Sequence, residues 1–348
     1  MSEFLTKLFR NLLVIFAVFF GLNIVIPVAF ALTISPPFYE IGAVQGQVLK
    51  TGLKVFNETD KAGTFYFDTQ NFVAKGEEGE PYFISEEIKE DLASWIETPN
   101  SIHLEPGELK QVEFTIRVPE NASPGGHYAA IFLSTSPSAI EGGTVGVAAR
   151  IGTLVLLKIG GEVVEEGKLV NFELINGKSI FEHLPVDFLI RIKNTGTVHI
   201  KPSGVIEIRN IFGIKTAEVK VNLVKTPDGK EKPVGNILPQ SVRKFEAKWQ
   251  IKDSGKEPKT FWQKVRFEKE NFALGRYQAK LNLSYGTNNE KKITDVVYFW
   301  VFPWHLILVS FIALVLVLFL LAFIIRRYNR WIIEKAKIKN QNENEKIN

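Results

Sequence analysis

Twenty consecutive residues, Leu306 to Ile325, carry no charge, no proline and no glycine. A run of this length and hydropathy matches the ~30 Å hydrocarbon layer of a bilayer when it is helical. Arg326, Arg327 and Arg330 follow at once, which predicts a stop-transfer anchor whose tail lies in the cytoplasm. A second apolar stretch, Leu12 to Phe30, follows Lys7 and Arg10 and ends in Ala29-Phe30-Ala31. That is the basic start, apolar middle and small-x-small exit of a secretory signal peptide, with cleavage expected after Ala31. The chain therefore divides into a signal peptide (1–31), an exported part, a transmembrane helix (305–325) and a basic, partly disordered cytoplasmic tail (326–348), with helix continuing to about Lys337. Trp300, Phe302 and Trp304 precede the span and Tyr328 and Trp331 follow it. They read, with the three arginines, as anchors at the two faces of a lipid bilayer. The exported part is predicted to work outside a single-pass cell membrane.

The net charge of +4 is a matter of topology. The tail holds seven Lys and Arg against three Glu, so the exported part is close to neutral and offers nucleic acid no basic face. With no cysteine the chain has no disulfide, thiolate metal site or lipidated thiol. Export without disulfides fits a prokaryotic envelope.

Within the exported part, alternation of apolar and polar residues dominates. Val112, Phe114, Ile116 and Val118 interleave with polar residues, and the same period of two runs through Val186–Ile192, Ala217–Leu223, Phe245–Ile251 and Tyr277–Tyr285. Turn residues separate these runs, as in Glu105-Pro-Gly107 and Pro227-Asp-Gly229. An internal repeat sharpens the pattern. Leu53-Lys-Val55-Phe-Asn57, Leu104-Glu-Pro106 and Gly126-His-Tyr128 occur in the same order as Ile190-Arg-Ile192-Lys-Asn194, Leu238-Pro239 and Gly275-Arg-Tyr277. The expectation is an all-β chain of two tandem immunoglobulin-like β-sandwiches, 32–161 and 165–302. Ser85 to Trp95 breaks the alternation with a Ser start, early acids and helical spacing of Ile88, Leu92 and Trp95, and predicts one or two helical turns.

No catalytic constellation emerges. The five histidines (His103, His127, His183, His199 and His305) are scattered, His305 reading as an interfacial anchor, and no nucleophile elbow, zinc motif or phosphate loop occurs. No catalytic residue, metal or cofactor is expected. The acids of Glu77-Glu78-Gly-Glu80 and Glu86 to Asp91 lack the spacing of a calcium loop and read as a solvated loop and helix start; a bound calcium and a hydrolytic cleft are the alternatives left open there. Two features are ambiguous between structure and ligand contact. Trp95 either caps a sandwich edge or faces a ligand. Gly125, Gly126, His127 and Tyr128 either open a strand, with Tyr128 tucked into the sandwich as Gly275-x-Tyr277 repeats, or approach a sugar or peptide.

Val55-Phe-Asn57, Leu92-Ala-Ser-Trp-Ile96, Leu104-Glu-Pro-Gly107 and Val118-Pro-Glu-Asn-Ala-Ser-Pro-Gly-Gly-His-Tyr-Ala-Ala-Ile131 resemble the peptidoglycan-binding domain of the WxL-interacting protein family. The stretch Lys193 to Ile208 is similar to the second domain of such proteins, although the chain has no WxL-type tract of its own. The resemblance implies a non-catalytic, membrane-anchored envelope protein, one domain holding peptidoglycan and the other a partner surface protein. An alternative architecture-based expectation is a receptor-like or assembly subunit that recruits or signals through the short tail.

Overall fold

The structure is a computed structural model that describes residues 32–84, 91–136, 150–252 and 258–344. The predicted signal peptide with Ala29 and Ala31, most of the acidic run before Trp95 and the last four residues lie outside the described residues.

Strands β1 (Leu32–Ser35), β2 (Phe38–Ala43), β3 (Val48–Asn57), β4 (Gly63–Lys75), β5 (Glu80–Phe83), β6 (Ile96–Glu97), β7 (Ser101–Leu104), β8 (Leu109–Arg117), β9 (Gly125–Ser134) and β10 (Arg150–Ile159) form the first sandwich. One sheet runs β1-β3-β8-β6; the other runs β2-β10-β9-β4, with β5 and β7 both on β4. Helix α1 (Leu92–Trp95) is a single turn, started by Asp91, whose carboxylate accepts from Leu92 N–H.

The second sandwich contains β11 (Gly167–Leu174), β12 (Ile180–Phe181), β13 (Val186–Asn194), β14 (Ser203–Asn210), β15 (Lys215–Val221), a small hairpin of β16 (Leu223–Lys225) and β17 (Glu231–Pro233), β18 (Val242–Trp249), β19 (Gly275–Tyr285) and β20 (Lys291–Val301). Its sheets are β11-β13-β18 and β12-β20-β19-β14-β15. The two halves share one connectivity. In each the chain starts on one sheet and crosses to the other, where β2 lies parallel to β10 and β12 parallel to β20, all other pairings being antiparallel. That crossover, with two facing sheets, makes both sandwiches immunoglobulin-like.

Alternation fixes which face is inside. Val112, Phe114 and Ile116 of β8 and Ala129, Ile131 and Leu133 of β9 point into the first core; Phe188, Ile190 and Ile192 of β13 and Ala279, Leu281 and Leu283 of β19 point into the second. Each of the larger of these side chains, the Val, Leu, Ile and Phe, contributes about 1.5–3 kcal/mol by leaving water. Two predicted strands sit two or three residues earlier than expected. Ala217–Leu223 becomes Lys215–Val221 because Asn222, at φ +54°, turns the chain and bonds Pro202 and Gly235. Phe245–Ile251 becomes Val242–Trp249, leaving Ile251 exposed.

After β18 comes helix α2 (Phe261–Glu270), opened by a Thr260–Gln263 capping box, and after β20 helix α3 (Trp304–Asn344). Over Trp304–Lys335 this last helix is long and apolar enough to cross a membrane, and none of its most apolar stretch is buried. Helix continues past Lys337, where the sequence predicts disorder. Lys, Glu and Gln are good helix formers, and no proline or glycine follows Pro303.

Candidate functional site

The residues singled out from sequence separate into two places. At one end of the first sandwich, His127 is buried with both ring nitrogens engaged: Nδ1 lies 2.5 Å from the Asp91 carboxylate and Nε2 2.9 Å from the Ser123 carbonyl. Burial opposes the charged imidazole, but Asp91 and the Ser123 carbonyl outweigh it and raise its pKa. The Trp95 ring packs 4.8 Å from that of His127 and leans on the first core. These residues form one polar plug under α1.

Gly125, Gly126 and Tyr128 lie instead where the two sandwiches meet. Gly126 N–H donates to the Thr197 carbonyl at 2.9 Å. Gly125, at φ +136°, comes so close to Thr197 that a Cβ would stand 3.1 Å from that carbonyl oxygen. A Cβ on Gly126 would collide with the Tyr128 hydroxyl, which lies over it. Tyr128 does not enter the sandwich core. It points out of β9, where Phe72, Leu156 and Leu238 surround it and its hydroxyl sits 3.3 Å from His199 Nδ1. The sequence alignment of Gly126-x-Tyr128 with Gly275-x-Tyr277 is thus one residue out. Gly125 and Gly275 open β9 and β19 opposite Ile159 and Val301, so His127 is the counterpart of Tyr277, and a slip of one residue reverses the face.

Charged residues flank this junction. Glu77, at the β4–β5 turn, makes a bidentate pair with Arg191, and Glu78 pairs with Lys244 at 2.6 Å. Glu40 binds Lys201 and accepts from Asn236, while Lys158 meets Glu165 at 2.7 Å. The loop is solvent-facing, with Glu78 and Glu80 exposed and Glu77 partly buried, yet its first two carboxylates clasp the second sandwich, and Arg191 holds Glu77 below the usual carboxylate range. Among the described residues no group of three or more His, Cys, Asp or Glu is arranged to hold a metal ion. A largely apolar cavity of about 150 Å³ lies between Phe38, Phe72, Leu154, Leu238 and Arg243. A polar recess of about 350 Å³ is lined by Glu40, Lys158, Glu165, His199 and Lys201. Sequence reading missed the junction, because ion pairs that join distant segments leave no local spacing.

Burial drives the pKa of His199 down to about 4. Its ordinary value is 6.5, so unfolding takes up a proton between pH 6.5 and 4 and the junction loses stability as pH falls through that window. We expect the melting temperature of the chain to fall over this range, and His199→Gln to flatten the fall by the equivalent of about 1–2 kcal/mol. Calorimetric scans at stepped pH read this directly; identical slopes for the two proteins would rule the junction histidine out. His127 has the opposite sign, its raised pKa adding stability at low pH that is lost as pH rises through the raised value.

At the far end of the second sandwich, α2 packs on the start of α3. Glu268 is fully buried, its Oε1 2.6 Å from His305 Nδ1 and its Oε2 accepting from Leu306 N–H at 2.7 Å. His305 is thus 2% exposed and not an interfacial anchor, because Glu268 and the Phe261 and Trp304 rings enclose it. Trp300 and Trp304 are 48% and 40% exposed. Arg326, Arg327, Arg330 and Trp331 project from α3, with Lys335 over the Trp331 ring.

No protein-family model matches the chain, and no curated protein does. Among solved structures, the class 5 fimbriae chaperone CfaA aligns at 14% identity over 76% of this chain and 98% of its own, with a TM-score of 0.36. The CupB2 chaperone of Pseudomonas aeruginosa aligns at 8% identity over 76% of this chain and 98% of its own, with a TM-score of 0.32. Likeness at this level carries no weight for function, and the immunoglobulin-like assignment rests on strand order.

Proposed function

We propose that the chain is a non-catalytic, membrane-anchored envelope protein that binds peptidoglycan, another surface protein, or both through its exported sandwiches. One observation carries this reading. The second sandwich stands directly on the apolar helix and its far end clasps the first. Strand β20, with 11 residues, spans roughly 35 Å between the two ends, so the first sandwich is presented at a fixed distance from the lipid surface. That is the geometry of an attachment device, and the resemblance to WxL-interacting proteins assigns peptidoglycan to the first sandwich and a protein partner to the second.

The exported region, Leu32 to Phe302, is expected to co-sediment with purified peptidoglycan sacculi. The two sandwiches are best kept together, since separation uncovers Phe72, Tyr128 and Leu156. A region that stays in the supernatant with sacculi, and crosslinks to no surface protein on intact cells, would sink the proposal. The helix past the span supports a second reading, a receptor-like subunit: α3 has 41 residues, about 60 Å, twice the hydrocarbon thickness. Deletion of 335–348 without a phenotype removes that support.

A further inference from the structure

Strand direction gathers at one end of the second sandwich a set of exposed apolar side chains that come from distant parts of the sequence. Strand β19 begins at Gly275 opposite Val301, the residue where β20 ends and the chain turns into α3. Strand β14 ends at Asn210, opposite Tyr277, so the β14–β15 turn projects from that same end. The turn is Ile211-Phe212-Gly213-Ile214, with the three apolar residues 64%, 83% and 61% exposed. It is not a frayed loop: the Asn210 side chain accepts from both Phe212 N–H and Ile214 N–H at 3.0 Å. Beside it, Phe272 and Leu274 precede β19, and Trp262 stands 69% exposed on α2. Trp262 shares a helix face with Arg266 and Lys269, four and seven residues on. From Lys259 to Arg276 there are five cations against two acids, one of which is the buried Glu268.

A water-facing sandwich has no use for six exposed aromatic or aliphatic side chains around one helix exit. Apolar tips with a cationic fringe suit the boundary between acyl chains and headgroups. We infer that this end is a lipid-docking surface: the Ile211–Ile214 turn, Phe272, Leu274 and the Trp262 face of α2 seat in the headgroup layer of an anionic bilayer, around the point where α3 enters it. The occupant follows from continuity, since the surface surrounds the base of the helix that spans the membrane, and the inference rests on that membrane reading. Seating fixes the tilt of the sandwiches, which a single helix alone leaves free.

The absence of cysteine makes the test direct. Full-length chain carrying a spin label at Trp262→Cys, Phe212→Cys or, at the opposite end, Asn288→Cys is reconstituted into phosphatidylcholine vesicles with or without phosphatidylglycerol. Labels at 262 and 212 should be several-fold more accessible to oxygen than to a water-soluble nickel chelate, the label at 288 the reverse. Phosphatidylglycerol should deepen position 262, and Arg266→Glu with Lys269→Glu should abolish that increment. Labels at 262 and 212 that behave like 288 in a membrane-inserted chain overturn the docking surface and leave the anchor standing, as would a protein partner being what covers it. No insertion at all overturns both. Depth independent of lipid charge overturns the anionic preference.

Discussion

Asn194→Ala should destabilise the second sandwich by about 3–4 kcal/mol, enough to lower its melting temperature by roughly 10 °C. The side chain is fully buried. Its Nδ2 donates to the Val198 and Ile237 carbonyls, each at 2.8 Å, and its Oδ1 accepts from Gly196 N–H at 2.8 Å. Its backbone N–H reaches Ser241. One amide thus ties the end of β13 to the segment leading into β18. Alanine leaves two carbonyls and an N–H buried without partners, each at a cost of about 1–3 kcal/mol before relaxation or entry of water. Asn57 repeats the device in the first sandwich, donating to the carbonyls of Lys61, Leu104 and Glu105, with its own N–H on Glu108. Asn57→Ala should therefore cost about as much there. Asn194→Asp separates the parts, since aspartate keeps the acceptor and loses both donated bonds. Denaturant titration of the three variants decides it: a loss below about 1 kcal/mol for either alanine variant would mean that water replaces the amide.

How much of this was legible depends on the range of the interaction concerned. Alternation in Val112–Val118 and Val186–Ile192 named real strands because one buried face imposes a period of two within the strand itself. The repeated Asn at 57 and 194 was visible as the end of a strand, but the partners that tie it across the sandwich, Leu104 and Glu105 for Asn57 and Ile237 for Asn194, lie more than 40 residues away and no spacing announces them. The same limit hid the pairing of Glu77 and Glu78, whose clustering marks a solvent-facing loop and says nothing of Arg191 and Lys244. Gly126-x-Tyr128 shows a different failure. Two glycines in a row allow two alignments with Gly275-x-Tyr277, and only strand pairing says that His127 is the inward residue. Helix α2 went unread because the stretch 258–274 mixes Trp, Phe and Lys without a core-facing stripe; it packs on α3 through one buried acid, a contact that hydropathy patterns score against burial.

That acid carries the second large expectation. Glu268→Ala should loosen α2 from α3 at a cost of about 3–5 kcal/mol, the range for removing one partner of a buried charged hydrogen-bond pair. Two groups lose their acceptor together: His305 Nδ1, in a ring 2% exposed, and the N–H of Leu306, in the first turn of α3, which has no helical partner of its own. The effect should be local. The core around Trp249, Tyr277 and Phe299 is held by ring contacts 5.0–5.8 Å apart that do not involve Glu268. Hydrogen exchange should therefore accelerate over 261–270 and at the start of α3, while β19 and β20 keep their protection. Glu268→Gln retains an acceptor for Leu306 N–H and should fall between wild type and alanine. If 261–270 exchanges at the wild-type rate in Glu268→Ala, α2 is held by its ring contacts, Phe261 on His305 and Phe267 on His183. If β19 opens as well, the acid belongs to the sandwich and not to its mount. With Glu268 in place, one buried carboxylate ties α2, at the end of the second sandwich, to the first turn of α3.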